Sequence, residues 1–566
     1  MPILIFFASV VLAIGWLLPV HQLPWSAFHT DAWVAVVLLI LSWGVLLTAK
    51  IRQPWPYPAL FVASLSLVPL IQFSFGQIML AGTAWISSIY LLGFLLAILA
   101  GARWESFRSG EAADSLFFAV GCAAIASVGL QLCQWLNLSE RCFCSGPWIF
   151  AYADNSRISA NLAQPNQLAT LLIWGVLAFS WGWTRQIVRA PVAVAGIMFL
   201  LFGLALTESR TGAVSLALLV LCVWLWLRVW PSKWVAVLAS LLWGLYMAMV
   251  VFLDPLNQAL LLDYSSSIVS RTKSETRLEI WAMFLKAVWQ HPWTGYGWNQ
   301  TLVAQVITAP PLAAAHRMQG MLFSYAHNLF LDMMLWVGIP LGLTVCSAIT
   351  YWLWRTAQAV KSSQDLLLLM VVLSVSVHAM LELPLYYAYF LLPFGLVVGV
   401  LGIRLRQPQL FLSSSRITVV VWLVVSLSFI LVVRDYFLAE NSYADLRLEK
   451  ARISSKFPRL PPDVVLLTQL RDLIILARLE PSLHTTPGQI AWIQKVALVY
   501  PTTDNLLKLA VSLSLDGQIV EARRWLSKLC VLYGPEQCTA SRTSWTRLQV
   551  KFPELQQVQW PSATYQ

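Results

Sequence analysis

The sequence predicts an all-α polytopic membrane protein with about thirteen transmembrane helices, a large outer loop and a helical outer C-terminal domain. Three observations predict it. Of 566 residues, 59% are hydrophobic and only 11% charged, with a mean hydropathy of +0.70, whereas soluble chains carry about a quarter charged residues. Apolar stretches close to the roughly twenty residues that a helix needs to cross a bilayer recur through most of the chain, without the alternation of an outer-membrane barrel. Lys and Arg fall in every second break between these stretches. Disorder, a secreted disulfide scaffold and a soluble multidomain enzyme are excluded.

In chain order the apolar runs lie near 3–20, 32–48, 58–73, 81–100, 115–137, 166–183, 191–207, 212–229, 234–253, 328–350, 366–383, 388–403 and 417–433. Many of the 29 tryptophans sit at their ends, where amphipathic rings favour the headgroup layer. The first run lacks a basic n-region and a small-residue cleavage site, so it reads as a membrane helix and not a signal peptide. Alternate breaks are basic: Lys50 and Arg52, Arg103 and Arg108, Arg185 and Arg189, Arg228 and Lys233, Arg355 and Lys361, then Arg404, Arg406 and Arg416. The breaks 21–31, 74–80 and 384–387 hold no Lys or Arg. By the positive-inside rule the N-terminus is cytoplasmic, and an odd helix count sends the C-terminus outside. Much of the net charge of +11 is therefore a topological marker, and no nucleic-acid partner is expected. The chain divides into a membrane domain, 1–433, whose long outer loops are 138–163 and 254–327, and an outer domain, 434–566.

Composition changes at Arg434, beyond which the chain is charged and helix-forming. The stretch from Asp504 through Asp516-Gly517 to Leu526 reads as two helices across a tight turn, similar to one tetratricopeptide unit or to a generic helical hairpin. Of eight cysteines, Cys122, Cys133, Cys222 and Cys346 fall in predicted helices as small apolar residues. Cys142 and Cys144 are too close in sequence to bridge easily, which leaves Cys530 with Cys538 as the better disulfide candidate in an oxidising compartment. No Cys-x-x-Cys pair or His-x-x-x-His spacing occurs, so neither a protein-built metal site nor a cofactor is expected.

The informative residues are polar ones on the outer side of the membrane domain. Arg157 to Gln167 precedes the sixth run, and Gln164, Asn166 and Gln167 exceed the single side chain a helix N-cap needs; helix N-termini also attract anions. Arg210, in Glu208-Ser209-Arg210-Thr211-Gly212, breaks the charge rule on the outer side. It pairs with Glu208 or serves a phosphate, which a guanidinium fork suits. The loop 254–327 opens with Arg271, Lys273 and Arg277, continues as an amphipathic helix lying on the membrane, then carries His291-Pro292-Trp293-Thr294-Gly295-Tyr296-Gly297, whose glycines permit a tight turn. It closes with His327-Asn328 at the mouth of the tenth helix, on the same side as Arg210 and Arg277. A neutral imidazole suits proton abstraction from an alcohol near neutral pH, although such a histidine is also a common helix cap. His378 and Glu382 stand one turn apart, a pair that orients a proton carrier or glues helices, followed by Pro384, Tyr386 and Tyr387.

These groups, in this order, resemble the bacterial O-antigen ligase and O-oligosaccharyltransferase superfamily. The match is carried by Gln164-Pro165-Asn166-Gln167, Ser209-Arg210-Thr211-Gly212, Arg277 with the His291 to Gly297 motif, Ala326-His327-Asn328 and Glu382-Leu383-Pro384, over roughly residues 150–400. Arg157 to Gln167 and the long outer C-terminal domain are more similar to the protein-glycosylating (PglL-type) branch than to the lipopolysaccharide ligases. The resemblance implies an inner-membrane enzyme with a periplasmic C-terminus. It would take an oligosaccharide from undecaprenyl diphosphate, within the lipid bilayer, and place it on Ser or Thr of a pilin or other periplasmic acceptor protein. It also implies that His327 is the loop histidine, that Arg210 and Arg277 bind the diphosphate, and that Gln164 or Gln167 is the essential glutamine. Leu383 stands where the family commonly has an aromatic, so Tyr386 or Tyr387 serves as its tyrosine. The expected catalytic set is His327, Arg210 and Arg277; the expected substrate-binding set is Arg157, Gln164, Asn166, Gln167, Glu382 and Tyr386.

The chemistry agrees. The leaving diphosphate needs positive charge, the acceptor hydroxyl needs a base, and one displacement inverts the anomeric centre. No carboxylate pair is placed to form a glycosyl-enzyme. The rivals are an O-antigen ligase acting on lipid A core, a polymerase that lengthens the lipid-linked glycan, and a transporter, which would need mid-membrane ionisable residues and an internal repeat that the sequence lacks.

Overall fold

The computed structural model describes residues 3–48, 52–138, 148–150, 157–262, 277–310, 320–413, 415–453 and 460–561. Arg271, Lys273, Cys142 and Cys144 lie outside them. Among the described residues the architecture is helical. Seven helices are long and apolar enough to cross a membrane: Phe28–Thr48, Tyr57–Ser74, Ala81–Phe107, Glu111–Trp135, Trp234–Ala259, Leu329–Ala359 and Arg416–Lys450. Five more apolar helices are shorter, Ile3–Leu17, Ala190–Leu206, Arg210–Leu225, Ser363–Ala379 and Ala388–Arg404, and Pro165–Thr184 covers the sixth apolar run. The chain is a multi-pass membrane protein.

Three features depart from the sequence reading. The second helix begins at Phe28, so Asp31 lies inside it and is buried. Its carboxylate accepts from the Tyr90 hydroxyl (2.8 Å) and the Tyr389 N–H (3.2 Å), and a buried acid so satisfied is tolerated where a bare one is not. The change in composition at Arg434 falls inside one helix, which runs unbroken from Ser415 to Lys450 because Leu438, Ala439, Glu440 and Ala444 all favour helix. A short antiparallel ladder pairs Gln53–Pro56 with Gln409–Ser413; Pro54 and Pro56 donate nothing to a ladder, which confines such a strand to an edge.

The chain forms two compact units. The first comprises Met1–Leu65, Tyr90–Glu275 and Ala348–Leu427. Its core is built on Trp16, Trp174, Trp181 and Phe390. Outward-facing Ile40, Leu47, Leu241, Val251 and Phe252 are exposed, as expected where the surroundings are lipid. The helices Ala81–Phe107 and Ala388–Arg404 touch backbone to backbone: a Cβ on Gly399 would stand 2.0 Å from the Ile98 carbonyl oxygen, and one on Gly101 would stand 2.2 Å from that of Leu396. Small residues permit such close approach in membranes, where apolar burial alone drives nothing together. Gly399→Leu must push the two helices apart, costing at least the ~1–3 kcal/mol of an overpacked core. Thermal unfolding of the full-length protein in detergent should show a clear loss of stability, and an unchanged midpoint would contradict the packing described.

Contacts sort the interhelix breaks of this unit into two ends. At one end Arg404 pairs with Asp365 (2.9 Å) and Glu105 (3.4 Å), Arg185 with Asp114 (2.9 Å) and Arg108 with Glu111 (3.2 Å). These join the breaks that the sequence marks as basic. At the other end Asn161 donates to the Leu17 carbonyl (2.7 Å), Tyr389 meets Asp31, and Asn166 meets both Glu382 and Ser209. These join the flanks of the breaks 21–31 and 384–387 to the two polar segments that carry Arg157 and Arg210.

The second unit comprises Ser66–Ile89, Thr276–Ser347 and Ser428–Gln566. Its core joins Val303 and Val306 of the helix Thr301–Thr308 to Ile490, Ile493, Leu506, Leu509, Trp525 and Leu526 of the C-terminal helices. Lys528 donates to the carbonyls of Val306 (2.8 Å) and Ile307 (3.2 Å), the cation-accepting end of that helix, and burial brings its ammonium down to about 8. Helices Thr503–Leu515 and Ile519–Lys551 meet at Asp516 and Gly517, the latter at φ +79°, so the hairpin expected there forms. The second of these helices is broken at Gly534-Pro535, which brings Cys530 and Cys538 together in a disulfide.

Candidate active site

In the first unit several of the polar residues singled out by the sequence form one connected web. Pro165 pre-sets the first turn of Pro165–Thr184, and the Gln164 side chain caps it, accepting from the Gln167 N–H at 2.7 Å. That leaves two amides, and both reach other helices. Asn166 Nδ2 donates to Glu382 Oε1 (3.1 Å), and Asn166 Oδ1 accepts from Ser209 Oγ (2.7 Å). Ser209 also accepts from the Gly212 N–H (3.0 Å), capping the helix Arg210–Leu225. Gln167 Oε1 accepts from the Tyr389 hydroxyl. Asn166 and Gln167 are buried by these bonds, while Gln164, Glu382 and Tyr386 remain half-buried.

Arg210 thereby becomes the first residue of a helix whose cap is bonded to Asn166 of a neighbouring helix, and Arg210 is half-buried. A helix N-terminus carries unsatisfied N–H groups and partial positive charge, and the guanidinium adds a full one. Arg157 donates to the Glu208 carbonyl (3.3 Å), and Glu208 takes the left-handed conformation, φ +48°, that turns the chain into this helix. His378 is buried, its Nδ1 sharing a hydrogen with Thr170 Oγ1 at 2.7 Å. That contact fits the helix-to-helix role.

The second unit holds His327 and Arg277. Arg277 opens the helix Arg277–Gln290, which buries Ile280, Phe284, Ala287 and Val288 and exposes Leu278, Leu285 and Trp289. His327 stands at φ +55° in the turn before Leu329–Ala359, and Asn328 caps that helix by accepting from the N–H groups of Phe330 (3.0 Å) and Leu331 (3.2 Å). The imidazole lies tilted against the Tyr325 ring, centroids 4.4 Å apart and planes at 57°. The motif from His291 to Trp298 is a backbone splint on this helix. Tyr296 and Gly297 donate to the Leu335 (2.8 Å) and Trp336 (3.0 Å) carbonyls, and Ile339 donates to that of Pro292 (2.7 Å), bracing the break at Gly338. Gly295, at φ +67°, has no room for a Cβ, which would stand 2.5 Å from the Leu335 oxygen. Burial pushes the Tyr296 phenol up to about 12, so it stays protonated and donates to the Ala287 carbonyl (3.1 Å).

The structure thus brings Gln164, Asn166, Gln167, Ser209 and Glu382 into one web beside Arg157 and Arg210. Sequence reasoning missed Asp31, Tyr389, Thr301 and Asp332. Asp31 and Asp332 were detectable in principle, as lone acids at the ends of apolar runs.

Comparison with known proteins follows the same segments. Residues 159–181 match a family model described as protein glycosylation ligase, 195–346 one described as O-antigen ligase, and 366–548 one described as virulence factor membrane-bound polymerase, C-terminal. A general O-oligosaccharyltransferase of Acinetobacter baylyi is 29% identical over 549 residues, covering 93% of this chain and 92% of that one. A ComP-specific O-oligosaccharyltransferase of the same organism is 33% identical over 255 residues, 44% and 45% of the two chains. An O-antigen ligase of Pseudomonas aeruginosa is 23% identical over 344 residues, 58% and 76%.

Proposed function

The chain belongs to the O-antigen ligase superfamily, in its O-oligosaccharyltransferase branch, and from that premise we propose that it moves a glycan en bloc from undecaprenyl diphosphate to Ser or Thr hydroxyls of pilin or other periplasmic proteins. The observation that carries the reading is Arg210: a cation on the outer side of a chain whose other short outer breaks avoid them, held at a helix N-terminus by the web of Ser209, Asn166 and Glu382.

In this account the acceptor oxygen attacks the anomeric carbon, the bond to the diphosphate breaks, and the lipid diphosphate departs with the bonding electrons. Arg210 and Arg277 neutralise the charge that develops on it. His327 takes the hydroxyl proton. A single displacement inverts the anomeric centre. Gln164, Arg157 and Tyr386 contact donor or acceptor, while Asn166, Gln167 and Glu382 hold the frame on which they stand. We read thirteen crossings of the inner membrane, with a cytoplasmic N-terminus, a transferase domain at 1–433 and a periplasmic, tetratricopeptide-like domain at 434–566 that faces the acceptor.

The test is to incubate purified protein with undecaprenyl-diphosphate glycan and, in parallel, a Ser-containing pilin or lipid A core. Mass addition to the protein acceptor alone is expected. Addition to lipid A core alone would instead mark a lipopolysaccharide ligase.

A further inference from the structure

We propose that Asp332 is the positioning residue of His327, holding by hydrogen bonds the backbone turn that presents its imidazole. The inference rests on the reading of His327 as the base.

Asp332 lies in the first turns of Leu329–Ala359 and is fully buried, 0% exposed. One oxygen, Oδ1, accepts twice: from Ala326 N–H at 3.0 Å and from Thr301 Oγ1 at 2.9 Å. Thr301 is itself fixed, accepting from Trp336 Nε1 at 2.8 Å. The other oxygen, Oδ2, is buried with no hydrogen-bond partner among the described residues.

Two consequences follow. His327 sits in the left-handed region, a conformation that is strained for such a residue and persists only where its surroundings impose it. The imposition is visible on both sides: Asp332 grips the amide of Ala326, the residue before His327, and Asn328, the residue after it, caps the helix. Further, the same oxygen ties this turn to Thr301, the first residue of the helix Thr301–Thr308, so the turn is anchored outside its own helix. A carboxylate placed for packing alone would not leave one oxygen buried and unbonded, since that costs stability.

The experiment measures kcat and KM for glycan transfer by the full-length protein in detergent, with lipid-linked glycan and a pilin acceptor. Asp332→Val removes the acceptor of both bonds and should lower kcat by about 10- to 100-fold, the cost of a misplaced reacting group, with KM values near wild type. Asp332→Asn keeps an oxygen able to accept both bonds, so it should return kcat to within a few-fold of wild type. Thr301→Val keeps the bond to Ala326 but removes the other, so it should lower kcat several-fold; it serves even if Asp332→Val does not fold. Wild-type kcat in Asp332→Val, a loss in Asp332→Asn as large as in Asp332→Val, or wild-type rates for Thr301→Val would overturn the proposal. Full transfer by His327→Ala would instead overturn the underlying reading, so the two failures are distinguishable.

Discussion

His327→Ala is expected to lower glycan transfer by at least about 100- to 10,000-fold, the range that a positioned general base contributes, while the protein still inserts and expresses. The acceptor hydroxyl is a poor nucleophile with its proton in place, and an imidazole such as that of His327 suits accepting that proton near neutral pH. Its left-handed backbone, φ +55°, raises a second explanation for any loss, since Ala adopts that conformation poorly. His327→Asn separates the two. Asn tolerates the left-handed region and keeps polarity but is no base. Loss in both variants, measured as acceptor glycosylated per minute, identifies the imidazole; recovery in Asn identifies the backbone.

The second large effect is expected at Arg210. Arg210→Ala should lower kcat by about 100- to 1,000-fold, the cost of removing one preorganised stabiliser of developing charge. The effect belongs mainly in kcat, because the charge on the leaving diphosphate grows as its bond to the sugar breaks. Arg210→Lys keeps the charge and loses the fork, so it should fall between Ala and wild type. Because Ser209 and not Arg210 supplies the cap of the helix Arg210–Leu225, neither variant should alter thermal unfolding appreciably. A large loss of stability in Arg210→Ala would mean that the guanidinium is structural.

Much of this arrangement is legible in the sequence because it rests on local chemistry. The apolar runs, the Pro165 start, the turn at Asp516-Gly517 and the placement of His327 at a helix mouth all follow from residues within a few positions of one another. The alternation of basic breaks was also legible, and the ion pairs of Arg404 and Arg185 gather those breaks at one end of the first unit. What the sequence could not show depends on partners far away along the chain. Three amides stand before the sixth run, but only folding assigns Gln164 to the cap and sends Asn166 to Glu382, 216 positions away. Asp31 reads as the end of an apolar run until Tyr389, 358 positions on, satisfies it. The motif from His291 to Gly297 signals only a tight turn; that it splints a break at Gly338 depends on tertiary contact.

The central claim, transfer of a whole glycan from a lipid diphosphate to a protein hydroxyl, is tested most directly by intact mass of the acceptor after incubation with purified enzyme and undecaprenyl-diphosphate glycan, followed by peptide mapping. The account predicts one addition equal to the entire glycan, on Ser or Thr, with release of undecaprenyl diphosphate and with no addition by His327→Ala. An unmodified acceptor alongside a ladder of lengthened lipid-linked glycan would contradict it and make the protein a polymerase.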